Sequence, residues 1–458
     1  MSVVAAAPEV PALESRQAID RELIAMAWPG VLALLLMNAT AIVDIAMVGR
    51  LGSGAVAAVG YAAQIVHVLT TVLQGVAVAG VALMTRELGG GRRGEAAEAL
   101  GGTTLVAVGV AIVYAVPLAS WPLAALEALG ASPGVARAAV PYLRLELGAA
   151  ALSALTLCLD CARRARRDLR TPLAIELGAT AVKLSLNALF IYGAGPIEPL
   201  GLSGAGLATV VAHAFALGAY AATARWGADP AAVLLPRATR AGLPRHARSA
   251  LRIALPAVGE RLVMNLALLA YFAVLARYGD AAIAAYAIGV RLLAFSWLPG
   301  IGFGIAGATL VGLSLGAGRP ETAKRAGWRA MVLSWWVMLG LAVPCALLRE
   351  PLATLFTEDA DIVSRLRSFL LMLAIAQPMM GVHFALAGAL RGAGDTVTPL
   401  VVAAAGNWAL RVPLAWVAAR AGLPLSWAWA ALVADHAARS LWYLVSFRRA
   451  RWAPRARD

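Results

Sequence analysis

Charge is scarce in this chain: only 14% of its 458 residues are Asp, Glu, Lys or Arg. An ordinary soluble domain carries about 25%. The length would allow about three soluble domains, but the few charges gather in short clusters between long apolar runs. Each run is roughly 20 to 28 residues, long enough to cross about 30 Å of hydrocarbon as a helix. Cysteine is nearly absent, with three residues, Cys158, Cys161 and Cys345. No partner pair or histidines at metal-site spacing accompany them, so these cysteines read as small buried residues rather than as a disulfide framework or zinc ligands. Acidic residues (25) are outnumbered by basic ones (39), leaving a net charge of +14. The basic residues sit at the ends of apolar runs, where they face lipid headgroups, so nucleic acid is not the expected partner. The opening stretch as far as Asp20 also holds Glu9 and Glu14, and it lacks a basic start followed by a short apolar core. It is not a signal peptide, and the first span is expected to direct insertion itself.

Twelve candidate spans fall near 23–48, 57–85, 102–125, 139–161, 172–192, 203–224, 250–275, 284–312, 328–348, 367–389, 399–419 and 426–447. Abundant glycine and alanine suit close helix packing in lipid. If the N-terminus is cytoplasmic, the cytoplasmic loops carry Arg86, Arg92 and Arg93; Arg163 to Arg170; Arg237 to Arg248; and Arg319, Lys324 and Arg325. The opposite loops are poor in basic residues, with Arg50, Arg137, Arg277 and Arg420 nearly alone. This asymmetry predicts a multi-pass inner (plasma) membrane protein with both termini cytoplasmic.

The chain also repeats itself at one fixed offset, without a gap. Pro29 matches Pro256, Arg50 matches Arg277, "LGGGR" (88–92) matches "LGAGR" (315–319), and "TPL" recurs at 171–173 and 398–400. Six helices per repeat send both halves into the membrane in the same direction. The expected fold is therefore an all-α polytopic membrane protein, twelve transmembrane helices in two six-helix bundles related by a pseudo-two-fold along the membrane normal. The expected segments are a cytoplasmic tail (1–22), an N-terminal lobe (23–224), a basic linker (225–249) containing Pro230, Pro236, Gly242 and Pro244, a C-terminal lobe (250–447) and a basic tail (448–458). Repeat-built transporters bind substrate between repeats and alternate its exposure. A channel would need a selectivity element, and the glycines here are dispersed rather than gathered in one loop.

Polar residues inside apolar runs mark candidate sites. Asp44 lies late in the first span among apolar neighbours, where a carboxylate is costly unless paired, protonated or facing a wet cavity. Burial favours the protonated form of a carboxylate, and a nearby cation favours the ionised form. In the fifth span Glu176, Lys183 and Asn187 share one face, with Thr180 between, and a mid-span lysine also needs a partner. Asp44 and Lys183 are candidates to meet; Glu176 could instead satisfy Lys183 loosely within its own helix. Glu146 and Arg144 near the outer end of the fourth span could snorkel or pair structurally. Glu260 and Asn265 in the seventh span are candidates for gating or cavity lining. Gln64 and Arg291 occupy equivalent repeat positions and are expected to face a central cavity, with the aromatics Tyr61, Tyr271, Phe295 and Trp408. Asp435 and Arg439 are spaced to pair within the last span; His67 and His383 are more simply hydrogen-bonded fillers. Pro29, Pro117, Pro141, Pro256, Pro299, Pro344, Pro378 and Pro413 lie in or near span interiors, where each can kink its helix. No paired histidines, serine–lysine dyad or metal cluster suggests an enzyme.

The segments "VDIAMVGRLGSGAVAAVG" (43–60), "GVALMTRELGGGRRGEA" (80–96), "LARYGDAAIAAYAIG" (275–289), "LVGLSLGAGRPETAKRAG" (310–327) and "LRGAGDTVTPL" (390–400) resemble the multidrug and toxic compound extrusion (MATE) family. The resemblance covers about residues 20 to 447 and is closest to the prokaryotic branch related to DNA-damage-inducible transporters. It implies two six-helix bundles arranged as a V and proton- or sodium-coupled export of mostly cationic, amphipathic compounds. It also implies a cation-site carboxylate at Asp44, accompanied by Lys183, Asn187 and Thr209 at the branch's polar positions. Lysine at 183, and asparagine at 187 where relatives carry an acid, weigh against sodium, because a positive neighbour repels a metal ion. The tenth span has no acid. The expected function is a proton-coupled antiporter for organic cations, a monomer among membrane lipids, needing no cofactor or metal. The alternatives are a flippase for lipid-linked precursors, suggested by Lys183, Arg144, Arg291 and Arg411, and a sodium-coupled multidrug exporter.

Overall fold

The computed structural model describes residues 15–193, 198–226 and 242–449, with the side chains of 224–226 excepted. Residues 227–241 of the expected linker (225–249), and the tails before 15 and after 449, lie outside the described residues, while 243–249 of that linker and 16–22 of the expected N-terminal tail are helical. Among the described residues every regular element is helical. The helix is the natural answer to hydrocarbon, since it satisfies each backbone donor and acceptor within its own segment.

In chain order, α1 (Arg16–Gly49), α2 (Ser53–Gly89) and α3 (Arg93–Ser120) are followed by the short α4 (Pro122–Ala128). Next come α5 (Pro133–Gly148) with α6 (Ala150–Ala165), then α7 (Arg170–Tyr192) and α8 (Leu202–Trp226). The second half has α9 (Leu243–Leu275), α10 (Asp280–Ser296) with α11 (Leu298–Gly316), α12 (Pro320–Leu347) and the short α13 (Arg349–Thr354). It ends with α14 (Ala360–Gly392), then α15 (Val397–Ala404), a π-helical stretch (Ala405–Arg411) and α16 (Val412–Arg420), and finally α17 (Leu425–Arg448). Eleven helical segments among the described residues are long and apolar enough to cross a membrane. The twelfth expected span, α17, has the length but holds Asp435, His436 and Arg439 mid-helix.

The sequence repeat reappears in the helix boundaries. α1 and α9 start at 16 and 243, α3 and α12 cover 93–120 and 320–347, and α7 and α15 start at 170 and 397. The turns before the last pair repeat as well: Asp168 Oδ1 accepts from the Thr171 amide at 3.0 Å and Asp395 Oδ1 from the Thr398 amide at 2.9 Å. The copies differ in where helices break. α2 is continuous where its counterpart breaks at Trp297, and α14 is continuous where its counterpart breaks at Ala149. Of the eight prolines, Pro29, Pro117, Pro141, Pro256, Pro344 and Pro378 are inside helices, while Pro299 and Pro413 fall in first turns just after a break.

The chain forms two compact units. One is drawn from Leu32–Met84 and Arg92–Ala254, the other from Met1–Val31, Thr85–Gly91 and Leu255–Asp458. α1 and α9 therefore each begin in one unit and end in the other. In the second unit α14 is the central helix, packed against α10, α11, α12 and α17. Glycine permits this density: a methyl group on Gly388 of α14 would overlap the backbone of Gly304 on α11.

Candidate functional site

The polar site of the first unit is assembled from α1, α5, α7 and α8. Asp44 on α1 and Lys183 on α7 meet at 2.5 Å between Oδ2 and Nζ. Asn187, one turn beyond Lys183, donates from Nδ2 to the other carboxylate oxygen at 2.7 Å. Both Asp44 oxygens are thus occupied by donors from one helix face, which fixes the carboxylate against α7. The pair keeps some access, with 23% and 25% of the Lys183 and Asp44 side chains exposed.

Glu146 on α5 completes the cluster. It lies beside the side chains of Tyr142 and Thr209 and within electrostatic reach of both Lys183 and Asp44. Lys183 is therefore paired with Asp44 while a second carboxylate, and His213 on α8, lie within the reach of its charge. Thr209 is buried, its hydroxyl donates to the Ala205 carbonyl at 3.2 Å, and it lies beside Glu146 rather than against Asp44. One turn beyond the polar groups on the same helices, Val48, Ile191 and Ala205 form a dry cluster with Met47, Tyr142 and Leu202 around it. Tyr192 closes this end by donating to the Met47 carbonyl at 2.6 Å. One polar atom is left over: Asn187 Oδ1 is buried without a partner.

The other expected residues are spread more widely. Glu176 is exposed and within electrostatic reach of Asp160, Lys183 and Arg164, with Asp160 and Arg164 themselves paired at 2.6 Å. Tyr61 donates to the Gly130 carbonyl at 3.2 Å, tethering the turn after α4. Gln64, Asn265 and Arg291 are exposed and make no hydrogen bond or ion pair among the described residues. Glu260 is buried and held by Arg391 at 2.5 Å. Tyr271, expected on a cavity surface, is fully buried and donates to the Ala428 carbonyl at 2.7 Å. It lies in an aromatic core because Tyr286, Phe369 and Trp429 surround that position. The second unit's own buried charges centre on Asp435, paired with Arg439 and with Arg411, each at 2.5 Å. Sequence reasoning missed Glu146 as part of the Asp44 site; its place next to Arg144 near a span end resembled a snorkelling pair. Arg144 in fact turns away, reaching the Ala119 carbonyl at 3.3 Å.

A polytopic helical protein with a half-buried carboxylate–ammonium pair between spans belongs, as a class, with membrane transporters, where intramembrane charges mark ion and substrate paths. Comparison with known proteins agrees: the chain belongs to the MatE family, whose model matches it twice, over residues 29–189 and 256–417. It is therefore a transporter and not an enzyme. The "Probable multidrug resistance protein NorM" of Mesorhizobium japonicum is 30% identical over 427 residues, covering 90% of each chain. The "FAD transporter" of Shewanella oneidensis is 25% identical over 87% of each chain. Among solved structures, the Vibrio cholerae MATE transporter VcmN in the bent form matches with a TM-score of 0.88 at 21% identity, covering 95% of this chain and 98% of that one. A MOP superfamily transporter from Pyrococcus furiosus matches with a TM-score of 0.83 at 17% identity, covering 94% and 95%. Both share the fold.

Proposed function

We propose that the protein is a multidrug exporter that exchanges organic, mostly cationic amphipathic compounds for protons by alternating access. The observation that carries this reading is the Asp44–Lys183–Asn187 arrangement. A carboxylate already neutralised by an ammonium has little to offer a sodium ion, which the lysine repels. A proton, by contrast, can compete. Protonating Asp44 removes its attraction for Lys183, and Glu146 stands ready to take over the ammonium. The unpartnered Asn187 Oδ1 then supplies an acceptor for the new O–H, after rotation of the amide. In the outward-facing state proton uptake would release a cationic substrate and bend α1 near Pro29; return to the inward-facing state would release the proton. The drug-resistance names of the NorM relatives support the substrate class.

The proposed setting is the plasma membrane, with both termini cytoplasmic, as a monomer of the DNA-damage-inducible branch. The proposed lobes are 23–224 and 250–447, with Gln64, Tyr61, Asn265 and Arg291 lining the substrate path and Glu260 and Tyr271 supporting it. Transport in proteoliposomes, with imposed proton and sodium gradients in separate runs, tests the reading. Proton-driven movement of a fluorescent organic cation that is lost in Asp44→Asn supports it. Sodium-driven transport, or proton-driven transport unchanged in Asp44→Asn, overturns it. One observation favours a second reading: Arg144 and Arg291 are exposed cations, and a relative is named an FAD transporter. An anionic, headgroup-bearing substrate, such as a lipid-linked precursor, would suit such cations, and gradient-independent binding of one would favour it.

A further inference from the structure

We propose that Glu95, Glu98 and His246 form a site for one divalent transition-metal ion, with zinc the expected occupant, that ties the first turns of α9 to α3. The site lies apart from the Asp44 cluster and does not depend on the direction or coupling of transport.

The argument begins with packing. α9 begins at Leu243, and its residues through Ala254 belong to the same compact unit as α3. Gly102 of α3 makes the approach possible: a methyl group there would stand 2.7 Å from the Ala247 amide and 2.8 Å from His246 Cβ. His246 is thereby pressed against α3 and is only 5% exposed. Glu95 and Glu98, at i and i+3, share the α3 face that it meets. His246 Nε2 is 3.1 Å from Glu95 Oε2 and 3.7 Å from Glu98 Oε2. One ligand atom from each of the three residues falls within 4.8 Å of the others.

These spacings suit a metal. With zinc bonds to nitrogen and oxygen of about 2.0–2.2 Å, tetrahedral neighbours stand about 3.3–3.5 Å apart. The two contacts to His246 bracket that value, while the set as a whole spans up to 4.8 Å, so the glutamates draw together when the ion binds. Two carboxylates neutralise a divalent ion, and an imidazole nitrogen selects transition metals over the oxygen-seeking magnesium and calcium. Three protein ligands leave a fourth position for water.

The other unit supplies an independent observation. There the first turns of α1 meet α12 through Asp20 and Arg329, a bidentate pair with Nε–Oδ1 at 2.7 Å and Nη2–Oδ2 at 2.6 Å. In the repeat register that pairs Pro29 with Pro256, Arg329 is the counterpart of Gly102 and Asp20 the counterpart of Ala247. The same seam is thus closed by permanent charges in one unit. In the other it presents a donor set that an ion completes.

The test is calorimetric titration of zinc, with magnesium as control, into chelator-stripped full-length protein in detergent near neutral pH, with thermal midpoints measured with and without zinc. The expected result is one zinc per chain, a midpoint that rises with zinc, and no magnesium response. His246→Gln and the double variant Glu95→Gln/Glu98→Gln should each weaken zinc by at least about 100-fold and lose the midpoint rise. Absence of saturable zinc binding, equal response to magnesium, or zinc binding unchanged in the variants would overturn the proposal. The last outcome would leave His246 as a plain hydrogen-bonded partner of the two glutamates. Metal-free midpoints establish that the variants fold, and the double variant carries the test if His246→Gln does not.

Discussion

Asp44 in α1 and Tyr271 in α9 stand at equivalent places of the repeat, in two units with matching helix boundaries, and have opposite chemistry. Around Asp44 the neighbours are Lys183, Asn187, Tyr142 and Glu146. The equivalent positions of the second unit hold Leu410, Leu414, Phe369 and Leu373. Tyr271 and Phe369 there join Tyr286 and Trp429, the last two stacked with centroids 5.8 Å apart. The second unit still buries charge, but around Asp435 on α17, doubly held by Arg411 and Arg439. Arg411 comes from the π-helical stretch, where α7 runs unbroken in the first unit. One scaffold therefore carries two solutions. A single, partly exposed ion pair can exchange partners, whereas a fully buried carboxylate with two guanidiniums, beside an aromatic core, is suited to hold still.

That contrast can be broken or sharpened by substitution. The largest effect is expected from Asp435→Asn, which leaves the buried Arg439 and the half-buried Arg411 without their carboxylate. Losing one partner of a buried ionic group costs about 3–5 kcal/mol, so the thermal midpoint and folded yield should fall sharply; a protein of normal midpoint would contradict the static role. Asp44→Asn should leave the midpoint near wild type while gradient-driven transport drops at least about 100-fold, or about 2.7 kcal/mol at 1.36 kcal/mol per tenfold. Lys183→Met should destabilise by about 1–3 kcal/mol, below the buried-pair range because solvent screens the exposed part of the pair. Combining it with Asp44→Asn should restore part of that loss, and strict additivity in the double-mutant cycle would argue that the two groups do not interact. The smallest change is expected from Tyr271→Phe, which removes one buried hydrogen bond to Ala428. It should cost about 1–2 kcal/mol and leave the dependence of transport on the gradient as in wild type. A loss of coupling in that variant would place part of the coupling machinery in the second unit.

Much of this architecture was legible in the residues. Scarce charge and long apolar runs announce the spans, and the repeated "TPL" turns and paired prolines announce the duplication. Asp44 and Lys183 stand out because a charge in an apolar run has no cheap solitary state. Glu146 did not stand out. It lies close behind Arg144 in the chain, and only the packing of α5 against α8 turns one toward Thr209 and leaves the other to the Ala119 carbonyl. Tyr271 was misjudged for a related reason. An aromatic residue in a span can face a cavity or a core, and the choice belongs to Tyr286, Phe369 and Trp429, which arrive from three other helices.

The residues by themselves determined that the chain spans a membrane, that it does so in two repeated halves, and which charges need partners. Those properties follow from local composition, because transfer of a segment into hydrocarbon depends on its own side chains and length. Only the tertiary structure decided which partners they find: Lys183 for Asp44 across 139 residues, Arg391 for Glu260 across 131, and His246 for Glu95 across 151. Helix neighbours and helix rotation are set by close packing of many small side chains at once, and no single stretch of sequence contains that sum.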